Sequence, residues 1–194
     1  MYRNRCIDDS DLKEIMFLGQ EDKELRLKNL LCCLKRKYRI DTSDNIRNIV
    51  IPSKTDENKI VLTAHWDVYP GSKGYNDNAA GMLILLKVQD KLPDNVEIVF
   101  TDMEECGGGG SKLYLENNRP SLNINIDAAG FGNQIYYDLY LIDNNVLEIK
   151  NAEYFPNVPF NDSHIFQQHS VKSILLFAGS KSENVIDEIW ERQH

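Results

Sequence analysis

Apolar and polar positions divide this chain into two patterns. Near the start, Leu27, Leu30, Leu31 and Leu34 recur at i, i+3, i+4 and i+7 in a stretch rich in Lys, Glu and Arg, which predicts an amphipathic helix. Residues 1–40 are expected to form a helical segment that packs on a sheet. From residue 46 the pattern changes to short apolar runs at Ile46–Ile51, Ile60–Ala64, Val96–Thr101, Leu122–Asp127 and Ser173–Phe177, each expected to be a strand. Ala79–Lys91 and Ser111–Asn117 lie between them and read as helices. Strands alternating with helices imply an α/β layered fold with a largely parallel central sheet. The segment from Asn144 to Asn161, with Pro156 and Pro159, is expected to be a long surface loop.

Size and charge narrow the picture. A chain of 194 residues, 42% of them hydrophobic, can bury a core as one domain, expected to span residues 1–194. Its four cysteines, Cys6, Cys32, Cys33 and Cys106, form no C-x-x-C pair, and no apolar signal core follows the first residues. A reducing, cytoplasmic location is therefore expected. The longest nearly apolar run, Ala79–Val88, is broken by Gly81 and Lys87 and is far shorter than the roughly 20 residues of a membrane span. A net charge of −8 argues against nucleic acid or an anionic membrane as partner.

Candidate chemistry gathers where the strands end. His65 and Asp67 are two apart at a strand terminus, so period-two geometry points them to one face. Asp77-Asn78 sits on a polar turn that feeds an apolar helix, where either residue suits an N-cap and the acid also suits a bridge between two cations. Val99-Phe100-Thr101-Asp102-Met103-Glu104-Glu105 runs from strand into paired carboxylates and then into Gly107–Gly110, a backbone expected to be flexible and uncovered. Cys106 beside them reads as a small filler and not as a ligand. Asp127 closes another strand. Open α/β sheets bind ligands outside the carboxyl ends of their strands, so these residues are expected to converge. Each pair of carboxylates about 4 Å apart would repel by roughly 4 kcal/mol at an effective dielectric near 20, a cost that divalent cations would remove.

In this order the motifs resemble the M28 zinc aminopeptidases: Ile60-Val-Leu-Thr-Ala-His65-Trp-Asp67, Asn76-Asp77-Asn78-Ala-Ala-Gly81, Phe100-Thr-Asp-Met-Glu104-Glu105-Cys-Gly, Asn125-Ile-Asp127 and Asn161-Asp162-Ser163-His164-Ile-Phe166. The resemblance runs from about Asn48 onward. It implies a three-layer α/β/α sandwich around a mixed, largely parallel sheet, of the phosphorylase/hydrolase-like zinc exopeptidase type. It also implies a two-zinc aminopeptidase that acts on a peptide or small amide through a metal-bridged hydroxide, other divalent metals being possible. His65 and Asp127 would bind one zinc, Asp77 would bridge both, and Glu105 and a late histidine, His194, would bind the other. Asp67 would orient His65, and Glu104 would be the general base. His164 and His169 are the substitutes for His194, His169 reading as structural, and Tyr154 and Asn161 are the residues considered for a group that would stabilise the oxyanion.

Three other readings compete. Ala64-His65-Trp66-Asp67-Val68-Tyr69-Pro70 also looks like the opening motif of M20 amidohydrolases and deacylases, although the short gap from Asp67 to Asp77 favours M28. A glutaminyl-cyclase-like enzyme would hold a single zinc. An inactive binding module would keep the fold without metal. No oligomeric state follows from the sequence.

Overall fold

The computed structural model describes residues 9–180. Two helices come first, α1 (Asp9–Leu18) and α2 (Lys23–Cys32). Strands β1 (Arg39–Ser43), β2 (Ile46–Ile51) and β3 (Ile60–His65) follow, then an irregular turn, Tyr75–Ala80, that runs into α3 (Gly81–Val88). The remainder is β4 (Val96–Thr101), α4 (Gly109–Asn117), β5 (Leu122–Ile126), β6 (Gln134–Tyr140), β7 (Ala152–Tyr154), α5 (Asp162–Gln168) and β8 (Ser173–Gly179).

All strands join one eight-stranded sheet in the order β1-β2-β4-β3-β5-β8-β6-β7. The four central strands, β4, β3, β5 and β8, are mutually parallel, and antiparallel pairings bring in β2 on one side and β6 on the other. From β3 the chain passes through α3 to β4 on one side, then through α4 back across to β5 on the other. That reversal makes the end of β3 a switch point, where adjacent loops diverge and leave a crevice.

Alternation along the central strands packs both faces of the sheet against helices and so gives three layers. Ile49, Ile51, Ala64, Ile98 and Phe100 pack with Leu18 of α1, Leu27 and Leu30 of α2, and Met82, Leu85 and Leu86 of α3. Val50, Val61 and Val99, one position out of phase, pack against Tyr114 and Leu115 of α4 and Ile165 and Phe166 of α5. The expected sandwich is present.

Three departures from the sequence reading have physical causes. Residues 1–40 are not helical throughout: β1 begins at Arg39, a charged edge strand whose exposed positions carry no burial signal. Strand β6 mixes tyrosines with Asp138 and gave no clean period. Strand β7 lies inside the segment expected to be a loop, where three residues at the sheet edge pair with β6 through Tyr136–Glu153 and its neighbours. No helix among the described residues is long and apolar enough to cross a membrane.

Candidate metal centre

Because β4, β3 and β5 are neighbours and parallel, the residues at their carboxyl ends are brought side by side. His65 is the last residue of β3, Asp127 follows β5, and Glu104 and Glu105 lie in the loop after β4. The turn before α3 adds Asp77. His65 Nε2 lies 2.5 Å from Asp77 Oδ1 and 3.4 Å from Asp127 Oδ1. One ligand atom each from His65, Asp77 and Glu105 falls within 4.8 Å of the others, the grouping of metal-ligand type found among the described residues. His194 lies outside the described residues.

Asp67 ties two of these segments together. Its Oδ1 is 3.4 Å from His65 Nδ1, and its two oxygens accept from the backbone N–H groups of Glu104 (3.1 Å) and Glu105 (3.2 Å). The ring lies with Nε2 facing the acids and Nδ1 facing Asp67, close to it but without a hydrogen bond, and the glutamate loop is fixed to the end of β3.

The glycine run is ordered, contrary to the flexible backbone expected of it. The N–H groups of Gly107, Gly108, Gly109 and Gly110 donate back to the carbonyls of Glu104, Met103 and Asp102. A side chain at Gly110 would meet Asn48 Oδ1 and the Asp102 amide at 2.4 Å, so the tight coil requires glycine there. Asp102, fully buried, accepts from the amides of Arg47 and Met103 and pairs with Lys23 at 2.8 Å. These residues frame the loop, and none was singled out from the sequence. Cys106 is exposed and is not the space-filler expected.

On the turn before α3 the two candidate roles are divided. Asn78 Oδ1 accepts from the Gly81 amide and its Nδ2 donates to the Ile126 carbonyl, so Asn78 joins the helix start to the end of β5. Asp77 faces His65 instead. The peptide bond between them is cis.

The remaining candidates lie elsewhere. Asn161 caps α5, its Oδ1 accepting from the Ser163 amide, while its own amide donates to His164 Nδ1 at 3.3 Å. His164 is packed between the rings of Tyr140 and Phe160. His169 ends the same helix, with Nδ1 2.8 Å from the Ile165 carbonyl, as expected of a structural residue. Tyr154 stands on β7 against Tyr137.

Electrostatically the cluster is uncomfortable by itself. Burial raises the Glu104 carboxyl to about 10, against the pull of His65 and with the help of Asp127, Asp162 and Asp77. Burial and the Asp77 charge raise Glu105 to about 7. Asp127 is also raised, by burial and then by Asp77. For His65 burial works against the charged ring, but Asp127 and Asp77 outweigh it and hold the pKa well above the ordinary value. Glu105 Oε1 and Asp127 Oδ1 are buried without a hydrogen bond. Unsatisfied acceptors beside like charges are costly unless a cation completes them. An imidazole nitrogen with carboxylate oxygens is a donor set that suits zinc. The residues present therefore fit the metal.

The sequence model of Peptidase family M28 matches residues 46–173. The chain belongs to peptidase family M28. This M28 chain is 32% identical to aminopeptidase YwaD of Bacillus subtilis (strain 168) in an alignment 140 residues long that covers 66% of the chain and 31% of that relative. The match thus spans about a third of the relative's length. Two solved structures have the same fold. A Zn-dependent exopeptidase from Parabacteroides distasonis has a TM-score of 0.70 at 15% identity, covering 97% of this M28 chain and 91% of that one. BSAP, a zinc aminopeptidase from Bacillus subtilis, has a TM-score of 0.56 at 22% identity, covering 73% and 45% respectively.

Proposed function

We propose that this chain is a metal-dependent exopeptidase, an aminopeptidase that works with two zinc ions. The observation that carries this reading is the convergence of His65, Asp77 and Glu105 within 4.8 Å, with Asp127 beside them, in a chain of the M28 family. His65 and Asp127 would hold one ion, Asp77 would be shared, and Glu105 would hold the other with His194. Zinc bound there would polarise the scissile carbonyl and lower the pKa of water toward neutrality.

The chain's own groups supply the rest. Asp67 keeps the imidazole in the tautomer that carries its proton on Nδ1, leaving Nε2 free to donate its lone pair. Glu104, buried at the edge of the cluster, takes the proton of the attacking water and returns it to the departing amine. Its raised pKa in the cation-free chain reflects burial among acids, and positive charge at the site would bring it down into the range a general base needs. The substrate is a peptide or small amide with a free amino terminus. The described cysteines are free thiols, in keeping with a reducing compartment such as the cytoplasm.

The test compares zinc-loaded and metal-stripped protein on aminoacyl p-nitroanilides and on N-acylated amino acids. Zinc-dependent hydrolysis of the former alone is expected, with two zinc ions per chain. Preference for acylated amino acids would replace the aminopeptidase by a deacylase.

A further inference from the structure

Arg26 breaks the pattern of its helix. It lies on the buried side of α2, next to Leu27, and none of its surface is exposed. Removing a guanidinium from water costs several kcal/mol, and a methionine of similar length would fill the space without that cost. Its hydrogen bonds show what it holds. Nε donates to the Trp66 carbonyl at 2.6 Å, Nη1 to the Lys73 carbonyl at 2.8 Å and Nη2 to the Gly74 carbonyl at 3.4 Å, with the Met82 thioether 3.8 Å from Nη2.

Those carbonyls sit at the two ends of one connector. Trp66 directly follows His65, and Lys73-Gly74 opens the turn that carries Asp77. The Gly74 carbonyl also accepts from the Ala79 amide at 2.9 Å, so the same oxygen anchors that turn from within. Gly74 has φ +55°, and a side chain there would come 3.1 Å from Arg26 Nη1 and 2.4 Å from the Asp77 carbonyl. The close approach of helix and connector depends on that glycine. The guanidinium is also near enough to the site for the charges of Asp67, Asp77 and Glu105 to favour its charged form, against burial, which lowers its pKa to about 10.

We infer that Arg26 is a positioning residue for the metal centre: by clamping both ends of the 66–74 connector it fixes Asp77 against His65 and places a permanent positive charge behind the acids. The inference rests on the zinc site proposed above. It gives the N-terminal helices, which precede the segment matched by the family model, a part in that site. Lysine cannot replace the clamp, because one ammonium cannot present a planar fork to three carbonyls.

The experiment measures zinc affinity of metal-stripped protein by competition with a chromophoric chelator, for wild type, Arg26→Lys and Asn29→Ala. Asn29 is the control: it is buried on the same helix and bonds the Phe17 carbonyl at 2.6 Å, so it seats α2 without touching the connector. Arg26→Lys is expected to weaken zinc binding about 10- to 100-fold, the usual effect of losing a group that orients ligands, and Asn29→Ala by no more than about twofold. Equal affinity in Arg26→Lys and wild type, or an equal loss in both variants, would overturn the inference. Failure of the wild-type chain to take up zinc would instead remove the proposed function. A measurement on wild type alone is independent of how the variants fold: proton exchange at Arg26 Nε–H, followed by NMR in metal-free protein. Strong protection is expected, and exchange as fast as in an exposed arginine would overturn the clamp.

Discussion

Thr63 and His65 point to the same face of β3, and Asn125 and Asp127 do the same on and just after β5, yet these adjacent rungs have opposite settings. In the lower rung the polar side chains bond one another. Thr63 Oγ1 donates to Asn125 Oδ1 at 3.0 Å, Asn123 Nδ2 to Thr63 Oγ1 at 2.9 Å, and Ser173 Oγ to Asn123 Oδ1 at 2.6 Å. Nearby, Asp162 takes the hydroxyls of Thr101 and Ser111 on its two oxygens. In the upper rung acids crowd one imidazole, and two buried oxygens have no hydrogen bond. The lower network joins β3, β5 and β8 as folded. On the proposed reading cations complete the upper cluster, and that would distinguish a site from polar core.

The sharpest way to break this contrast is at the base. Glu104→Gln should cut turnover about 10²- to 10⁴-fold while zinc content, measured by elemental analysis, stays unchanged. A wild-type rate would take Glu104 out of its role.

Next in size is the lower rung. Thr63→Val leaves Asn125 Oδ1 without its donor and Asn123 Nδ2 without its better acceptor, and should destabilise the chain by about 1–3 kcal/mol in denaturant titration, equally with and without zinc. A loss that appeared only in zinc-loaded protein would join the two rungs into one functional unit.

In the upper rung the same kind of edit should have the opposite sign. Glu105→Gln removes a charge that burial and then Asp77 disfavour, so the metal-free chain should gain about 1 kcal/mol, reduced by partial exposure, while zinc affinity falls. Loss of stability in the metal-free form would mean that the acids are not in conflict.

The smallest effect is the slope with pH. Glu105 is raised from 4.5 to about 7, so the folded chain keeps a proton that the unfolded chain has already released. Its contribution to stability is therefore present below about pH 4.5 and is lost as pH rises toward 7. Asp162, raised from 3.8 to about 6 mainly by burial, acts in the same direction. Metal-free protein should unfold more easily at pH 7 than at pH 5, and zinc, which needs deprotonated ligands, should reverse the trend. Thermal melts at the two pH values, with and without chelator, check the sign.

Much of the upper rung was legible because β3 and β4 are mostly apolar until they end. Ile60-Val-Leu-Thr-Ala before His65, and Val-Glu-Ile-Val-Phe before Thr101, mark where a parallel sheet stops and a crevice opens. The lower rung was overlooked: Asn123 and Asn125 alternate with isoleucines, and nothing local says that partners from β3, β8 and the start of α5 satisfy them. Arg26 and Asn29 were hidden for the same reason, since a charged or polar residue in a helix reads as solvent-facing until its partner is seen beneath it, the connector for Arg26 and the Phe17 carbonyl for Asn29. The glycine run signalled a special backbone, but whether it was loose or tightly coiled depended on Asn48 and Asp102. Edge strands β1 and β7, short and half-exposed, carry too little burial to leave a period.

The central claim is that the upper rung is a cation site, and calorimetric titration of metal-stripped protein with zinc tests it most directly. Saturable uptake should be accompanied by proton release and by a stabilisation of about 2.7 kcal/mol at a hundredfold excess of free zinc over Kd, with Asp77→Asn losing most of the affinity. Zinc that neither binds saturably nor shifts unfolding would contradict the account.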